Sequence, residues 1–121
     1  MNRNKAAGTR WESAIVEFLR ANGFPWAERR ALAGALDRGD IVIGPGAPIV
    51  EAKNRKALDL ANAVDEANAE AANAGAPFGV AVLKRRGKGS AGDGYAVMTL
   101  ANCARLLREA GYGSPLEDAD G

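Results

Sequence analysis

The sequence contains no histidine and only one cysteine, Cys103, among its 121 residues. A single cysteine cannot form a disulfide within the chain, and without histidine the commonest general base and zinc ligand is missing. No apolar run approaches the roughly 18 to 20 residues that cross a bilayer, and the polar N-terminus does not resemble a secretory signal. We therefore expect a cytoplasmic protein without a membrane partner, in which any catalysis uses carboxylates, lysine or a hard metal ion.

Large apolar side chains are also scarce, because alanine supplies nearly half of the 47% of the chain that counts as hydrophobic. A chain of this length is expected to fold as one domain, which we place at residues 1–112, with a disordered acidic tail at 113–121. Small domains bury only part of their surface when they fold alone, so a homodimer is favoured over a monomer.

The net charge of +1 conceals an uneven distribution of charges. The segment after Arg108 holds four of the 15 acids and none of the 16 bases, so the chain up to and including Arg108 carries 16 bases against 11 acids, a net charge of +5. If the fold gathers these bases on one face, the expected partner is a polyanion such as DNA. The candidate DNA-binding residues are Arg3, Lys5, Arg10, Arg29, Arg30, Arg38, Arg55, Lys56, Lys84, Arg85, Arg86 and Lys88.

The hydrophobic pattern predicts an α/β fold with a mixed central sheet, in the order α-β-β-β-α-β-β-α. The predicted helices cover residues 9–22, 57–74 and 100–110, the predicted strands 26–32, 40–43, 48–53, 78–86 and 95–99, and the predicted loops 33–39 and 87–94. Thr9 and Glu12 have the spacing of a helix capping box. Trp11, Phe18 and Trp26 are predicted to pack in the core.

The segments around Asp40 and Glu51 place charges where a buried sheet would normally exclude them. Because strand side chains alternate between faces, Glu51 and Lys53 project on one side about 7 Å apart, while Val50 and Ala52 project on the other. Asp40 begins the neighbouring antiparallel strand, so a short hairpin brings its carboxylate towards Glu51. Two carboxylates with nearby carbonyls and water suit Mg²⁺ or Mn²⁺, and Lys53 could orient or deprotonate a water, or neutralise charge on a phosphate.

An Asp followed about ten residues later by Glu-x-Lys, and preceded by a Glu on an N-terminal helix, resembles the PD-(D/E)xK nuclease superfamily. The predicted element order is similar to the restriction-endonuclease-like α-β-β-β-α-β core of that superfamily. Within it, the chain resembles the archaeal-type Holliday junction resolvases and their phage relatives over residues 5–86. The shared features are residues 5–12, Leu19, residues 22–24, Arg29, and residues 39–42 and 50–53.

The resemblance implies a metal site on Asp40 and Glu51 that Glu12 completes from the first helix, with Lys53 assisting the attacking water. The pattern also departs from that of the family. Gly39 stands where the motif has proline, residues 31–36 contain no hydroxyl where the archaeal enzymes have a serine-rich loop, and the polar residue of the following helix is matched only by Asn62.

The implied function is a Mg²⁺-dependent Holliday junction resolvase, a hydrolase of DNA recombination that nicks four-way junctions as a homodimer. Alternatives are another nuclease of this superfamily acting on duplex or branched DNA, and a non-catalytic module of the same fold that binds nucleic acid. Each residue also has a structural alternative. Glu51 and Lys53 could form an exposed ion pair, Asp40 could be a turn residue, Glu12 a helix cap, and residues 84–88 a solvated strand end.

Overall fold

The computed structural model describes residues 3–30, 40–54 and 59–116, with side chains from residue 7 onward. The predicted loop at 33–39 and the last part of the predicted acidic tail, residues 117–121, lie outside the described residues. Residues 113–116 are described, and they are exposed and belong to no helix or strand.

Across the described residues the elements follow the predicted order, and the chain is confirmed as an α/β fold with a mixed sheet flanked by helices. The elements are α1 (Arg3–Ala21), β1 (Glu28–Arg29), β2 (Asp40–Val42), β3 (Ile49–Lys53), α2 (Leu60–Ala74), β4 (Gly79–Leu83), β5 (Tyr95–Val97) and α3 (Leu100–Glu109), with a short 3₁₀ helix at Ala91–Asp93.

The start of α1 corrects the predicted capping box. The helix begins at Arg3, well before the predicted start, so Thr9 lies inside it and cannot cap it. The stretch Lys-Ala-Ala-Gly that precedes Thr9 contains no proline, and nothing in it stops the helix from extending towards the N-terminus. Glu12 is therefore a residue of the helix interior, and its role must come from tertiary contacts.

The other two helices begin at side-chain caps. α2 starts later than predicted because Asp59 is its N-cap and accepts a hydrogen bond from the backbone N–H of Asn62 at 3.1 Å. In the same way, Thr99 accepts a bond from the N–H of Asn102 at the start of α3. Both caps satisfy amide groups that the first turn of a helix leaves without partners.

The five described strands lie in sequence order, β1 to β5, in one sheet. β3 and β4 run parallel, with α2 as the crossover between them, whereas each of the other neighbouring pairs is antiparallel. The parallel pair ends at one edge, where Lys53 is the partner of Leu83. This edge carries the candidate site.

One face of the sheet packs against α1. Trp11, Ile15 and Val16 form the apolar cluster of this face with Ile41 and Val50. The indole Nε1 of Trp11 also donates a hydrogen bond to the carbonyl oxygen of Val82 at 3.2 Å. The prediction of a core position is confirmed for Trp11.

The opposite face packs against α2 through alanines. Ala63 and Ala67 contact Ala81 and Leu83, and the small side chains let the helix approach the strand closely. At the closest point only glycine fits, because a Cβ on Gly79 would lie 2.0 Å from the carbonyl oxygen of Ala67. Small residues on both elements therefore set the distance between α2 and the sheet.

The predicted core position of Trp26 and the predicted loop at 87–94 need correction. Trp26 is 76% exposed, because it lies in the turn before β1 and has no sheet face to pack on. The glycine-rich stretch at 87–94 is partly ordered: Ser90 caps the 3₁₀ helix, and Gly92 lies so close to Phe18 that a Cβ there would be 2.7 Å from its ring. No helix of the described residues is long and apolar enough to cross a membrane.

Candidate active site

Asp40 and Glu51 lie directly opposite each other on β2 and β3. The antiparallel register pairs Asp40 with Glu51, and it pairs Ile41 with Val50 next to them. Side chains of directly opposed residues share a face, with Cβ atoms about 4.5 to 5.5 Å apart. Ile41 and Val50 face α1, so the two carboxylates face the α2 side of the sheet. The proximity predicted from the hairpin is present.

Both residues are buried: Asp40 has no exposed surface, and Glu51 is 5% exposed. A turn residue at position 40 and an exposed ion pair at position 51 are therefore wrong as alternatives. Burial raises the pKa of the Glu51 carboxyl above its ordinary value, and the nearby Lys53 ammonium opposes that rise. The carboxylates of Glu66 and Glu70 on α2 raise this pKa further.

Lys53 lies on the same face as Glu51, two residues further along β3. Its Nζ is 3.1 Å from Oε1 of Glu51, and it also forms an ion pair with Oε2 of Glu66. Asn62 donates from Nδ2 to the other oxygen of Glu66, at 2.8 Å. The ammonium is thus held between two carboxylates, which suits orientation of a bound group and neutralisation of its charge.

Glu66 and Glu70 are the site residues that the sequence analysis missed. Together with Asn62 they recur every four residues, so they occupy one stripe of α2, next to the stripe of alanines that packs on the sheet. Acids at this spacing beside a buried alanine stripe are the signal that could have identified them. Asn62, the sequence candidate on this helix, reaches the cluster only through Glu66.

Glu12 lies apart from Asp40, Glu51, Lys53 and Glu66. It lies on α1, and its Oε2 is 2.7 Å from Nη2 of Arg29 on β1. Arg29 is the register partner of Ile41, so this ion pair lies on the α1 face, across the sheet from Asp40 and Glu51. Burial raises the pKa of the Glu12 carboxyl, and the Arg29 guanidinium opposes the rise.

The donor set fits a divalent cation on two carboxylates. Oε2 of Glu51 is buried and has no hydrogen-bond partner in the described part of the chain, and the carboxylate of Asp40 lies on the adjacent strand. Oxygen ligands of this kind are those that Mg²⁺ and Mn²⁺ prefer. Within residues 3–30, 40–54 and 59–116, however, no three acidic, histidine or cysteine side chains are grouped closely enough to hold a metal ion.

A basic segment, residues 84–88, begins at the edge where β3 and β4 end. The backbone N–H of Lys84 donates to the carbonyl oxygen of Lys53 at 3.0 Å, so this segment leaves the sheet beside the site. Arg85, Arg86 and Lys88 are exposed, and the Arg85 guanidinium lies 5.9 Å from the centre of the Tyr95 ring. The basic segment thus leaves the sheet at the same end as the buried carboxylates.

The other candidate DNA-binding residues divide into four groups. Arg10 is exposed on α1, whereas Arg29 and Arg30 pair with Glu12 and Glu28 respectively. The side chains of Arg3 and Lys5 on α1 are outside the described part of the structure. Arg38, Arg55 and Lys56 lie outside the described residues altogether.

An open cavity of about 870 Å³ lies at the other end of the β2–β3 hairpin. Its lining includes Trp26, Arg20, Val42 and Ile49. The acids of the candidate site, Asp40, Glu51, Glu66 and Glu70, do not line it. Val42 and Ile49 form the register pair that follows Asp40 and Glu51 along the same face. The cavity and the carboxylates therefore share one side of the sheet but are separate sites.

Comparisons of this chain with protein-family models, with curated proteins and with solved structures found no match. Function is accordingly inferred from the geometry of the described residues and from the motif that they form.

Proposed function

We propose that the protein is a metal-dependent DNA endonuclease whose site is formed by Asp40, Glu51 and Lys53. The observation that carries the proposal is that these three residues meet on one face of the sheet, at the edge where the basic segment begins. A restriction-endonuclease-like core is part of the proposal, because the motif lies on adjacent strands that follow a helix and precede another.

Asp40 and Glu51 would hold Mg²⁺ or Mn²⁺. When bound there, such a cation supplies positive charge that offsets the anionic phosphodiester as a nucleophile approaches. Glu12 pairs with Arg29 on the opposite face of the sheet, so the two strand carboxylates are the proposed ligand set, and the role of Glu12 as a third ligand remains a prediction.

Lys53 would orient the attacking water and stabilise negative charge that develops on the phosphate oxygens. Its ion pairs with Glu51 and Glu66 fix the ammonium in position, so little reorganisation is needed when the phosphate arrives. Attack on phosphorus with loss of the 3′ oxygen leaves 5′-phosphate and 3′-hydroxyl ends. Glu66 acts here as a positioning residue for Lys53.

The proposed substrate is a four-way DNA junction, in line with the resemblance to Holliday junction resolvases, and the proposed location is the cytoplasm. Paired, symmetrical cuts require two sites, so we propose that a homodimer acts on the junction. The exposed bases at 84–88 would contact phosphates, which favours binding by shape with a steep dependence on salt.

The test is incubation of the purified protein with a labelled four-way junction and with a linear duplex of the same sequence, in Mg²⁺, in Mn²⁺ and in a chelator. Symmetrical cleavage of the junction that requires metal would support both chemistry and substrate. Equal cleavage of the duplex would favour another nuclease of the same superfamily. Binding without cleavage in either metal would contradict the endonuclease and favour the non-catalytic module.

A further inference from the structure

α3 contacts the body of the protein through the side that carries Asn102 and Arg105. Asn102 donates from Nδ2 to Oδ1 of Asn68 on α2 at 3.2 Å, and the Arg105 guanidinium lies 6.0 Å from the centre of the Phe78 ring. No residue of α3 is buried. An amphipathic helix on a globular protein normally buries its large apolar side chains. In α3, Leu106, four residues after Asn102, is half-buried, whereas Leu100 and Leu107 are exposed.

An apolar stripe runs along the side of α3 opposite Asn102 and Arg105, with exposed leucines at its two ends and half-buried Cys103 and Ala104 between them. Leu100, Cys103, Ala104 and Leu107 recur at intervals of three and four residues, so they lie along one side of the helix. Leu100 is 84% exposed and Leu107 is 48% exposed. This stripe, which we call the α3 stripe, carries no charged residue.

The C-terminal end of α3 extends the α3 stripe. Gly111, with φ of 94°, donates to the carbonyl of Arg108, and Tyr112 donates to the carbonyl of Leu107, both at 3.0 Å. This is a Schellman ending, which commonly brings the residue after the glycine against the last turn of the helix. Tyr112 and Leu116 are both strongly exposed and add apolar surface at that end.

We propose that the α3 stripe is the interface of a homodimer. Across a two-fold axis near Cys103 and Ala104, Leu100 of an antiparallel copy would meet Leu107, and Leu107 would meet Leu100, so the stripe is self-complementary. The small residues at its centre let two helices approach closely. The stripe contains no charge that would face its own copy.

The alternative helix for this role is excluded by its packing. The alanine stripe of α2 is already used, because Ala63, Ala67 and Ala71 are buried against the sheet of the same chain. A specific interface buries about 1,000 Å² or more. The α3 stripe with the exposed Tyr112 and Leu116 is small by that standard, so the dimer is expected to depend on concentration.

This inference gives the homodimer of the proposed function its interface, and it rests on that proposal for the number of copies. The experiment reads mass, not cleavage, so failure of the interface and failure of the nuclease are distinguishable. Sedimentation of the full chain over a wide concentration range should show a shift from 12.6 kDa to twice that mass. A chain that stays monomeric at the highest concentration would overturn the proposal.

The variant that tests the surface is Leu100→Glu combined with Leu107→Glu. Because both side chains are exposed, the fold should persist by circular dichroism while the dimer dissociation constant rises at least about 100-fold. Leu60→Glu is the matched control, since Leu60 is an exposed leucine at the start of α2 and its replacement should leave the dimer intact. A dimer that persists in the double variant would place the interface elsewhere.

Cys103 provides a second measurement that needs no substitution in the wild-type chain. Diamide oxidises two thiols to a disulfide and takes up the two hydrogens, so dimers with Cys103 near the two-fold axis should become covalently linked. The linked species should be absent from Cys103→Ser and strongly reduced in the double variant. Equal cross-linking of the wild-type chain and the double variant would show random collision and contradict the proposal.

Discussion

The two faces of the sheet each bury a carboxylate close to a base, and they differ in how that base is shared. On the α1 face, Glu12 pairs with Arg29 next to an apolar cluster. On the α2 face, Lys53 is shared by Glu51 and Glu66, and Asp40 lies across from Glu51. The α1 face thus has a one-to-one ion pair between a helix and a strand, whereas on the α2 face carboxylates that share one ammonium form the polar cluster where we propose that a cation binds.

The largest expected effect is on the cleavage rate, when the carboxylates of the two faces are replaced in turn. Asp40→Asn or Glu51→Gln should lower the rate of junction cleavage by about 100- to 1,000-fold or more, because a proposed ligand to the cation loses its charge. Junction binding, measured by gel shift, should be kept. Glu12→Gln is the matched control, and its cleavage rate should stay within about tenfold of wild type. An equal loss for Glu12→Gln would mean that both faces act in catalysis.

A smaller effect on the cleavage rate is expected when the bases that pair with these carboxylates, Lys53 and Arg29, are replaced. Lys53→Met should lower the cleavage rate by about 100-fold, since the side chain of similar length cannot stabilise charge on the phosphate. Lys53→Arg should recover part of the rate. Arg29→Met, on the other face, should change cleavage much less. Single-turnover rates measured at saturating protein would show whether Lys53 acts in the chemical step, and an unchanged rate for Lys53→Met would contradict its role.

The distance between α2 and the sheet is tested at Gly79. The Cβ of Gly79→Ala would collide with the backbone of Ala67, so α2 must shift, and we expect a loss of about 1 to 3 kcal/mol in the free energy of unfolding. Cleavage should fall as well, because Glu66 would move relative to Lys53. Gly44→Ala is the control, as nothing lies within 4 Å of its Cβ. Urea unfolding of both variants measures the difference, and equal stabilities would refute the close packing.

The smallest effect is the pH dependence of stability. The pKa of Glu51 is raised in the folded protein, so between its ordinary and its raised value the folded state binds more protons than the unfolded state. The stability contributed by this carboxyl is therefore fully present below the ordinary pKa and is lost as pH rises through the raised one.

Because Gln at position 51 cannot titrate, Glu51→Gln should gain stability relative to wild type as the pH rises through that window. Chemical unfolding at a series of pH values measures the difference between the two proteins. A difference that is constant with pH, or that changes in the opposite sense, would contradict the raised pKa.

Much of the fold followed from local patterns in the sequence. The element order was correct, and the predicted helix ends at residues 22, 74 and 110 lie within one residue of the observed ends. Gly23, Gly75 and Gly111, each with a positive φ, follow these ends. Element starts were less predictable. Thr9 resembled a cap but lies within α1, whereas Asp59 caps α2 inside the segment that had been assigned to the helix.

The candidate site was predictable only where its members share a hairpin. The pairing of Asp40 with Glu51 follows from hairpin register, and the placement of Lys53 beside Glu51 follows from strand alternation. Glu66 lies on the helix that follows β3, and its contact with Lys53 depends on how α2 lies on the sheet. Glu12 also depends on packing, because its helix could approach either face.

By itself, the sequence determined the elements, their order, and the cross-strand pair of carboxylates, since helix stops, strand alternation and hairpin register are local properties of a few neighbouring residues. Only the tertiary structure decided that Glu12 pairs with Arg29 away from that pair, that Glu66 meets Lys53, and that Leu100 and Leu107 of α3 face outward. These outcomes depend on the direction in which each helix packs on the sheet, which is set by contacts between residues distant in the chain.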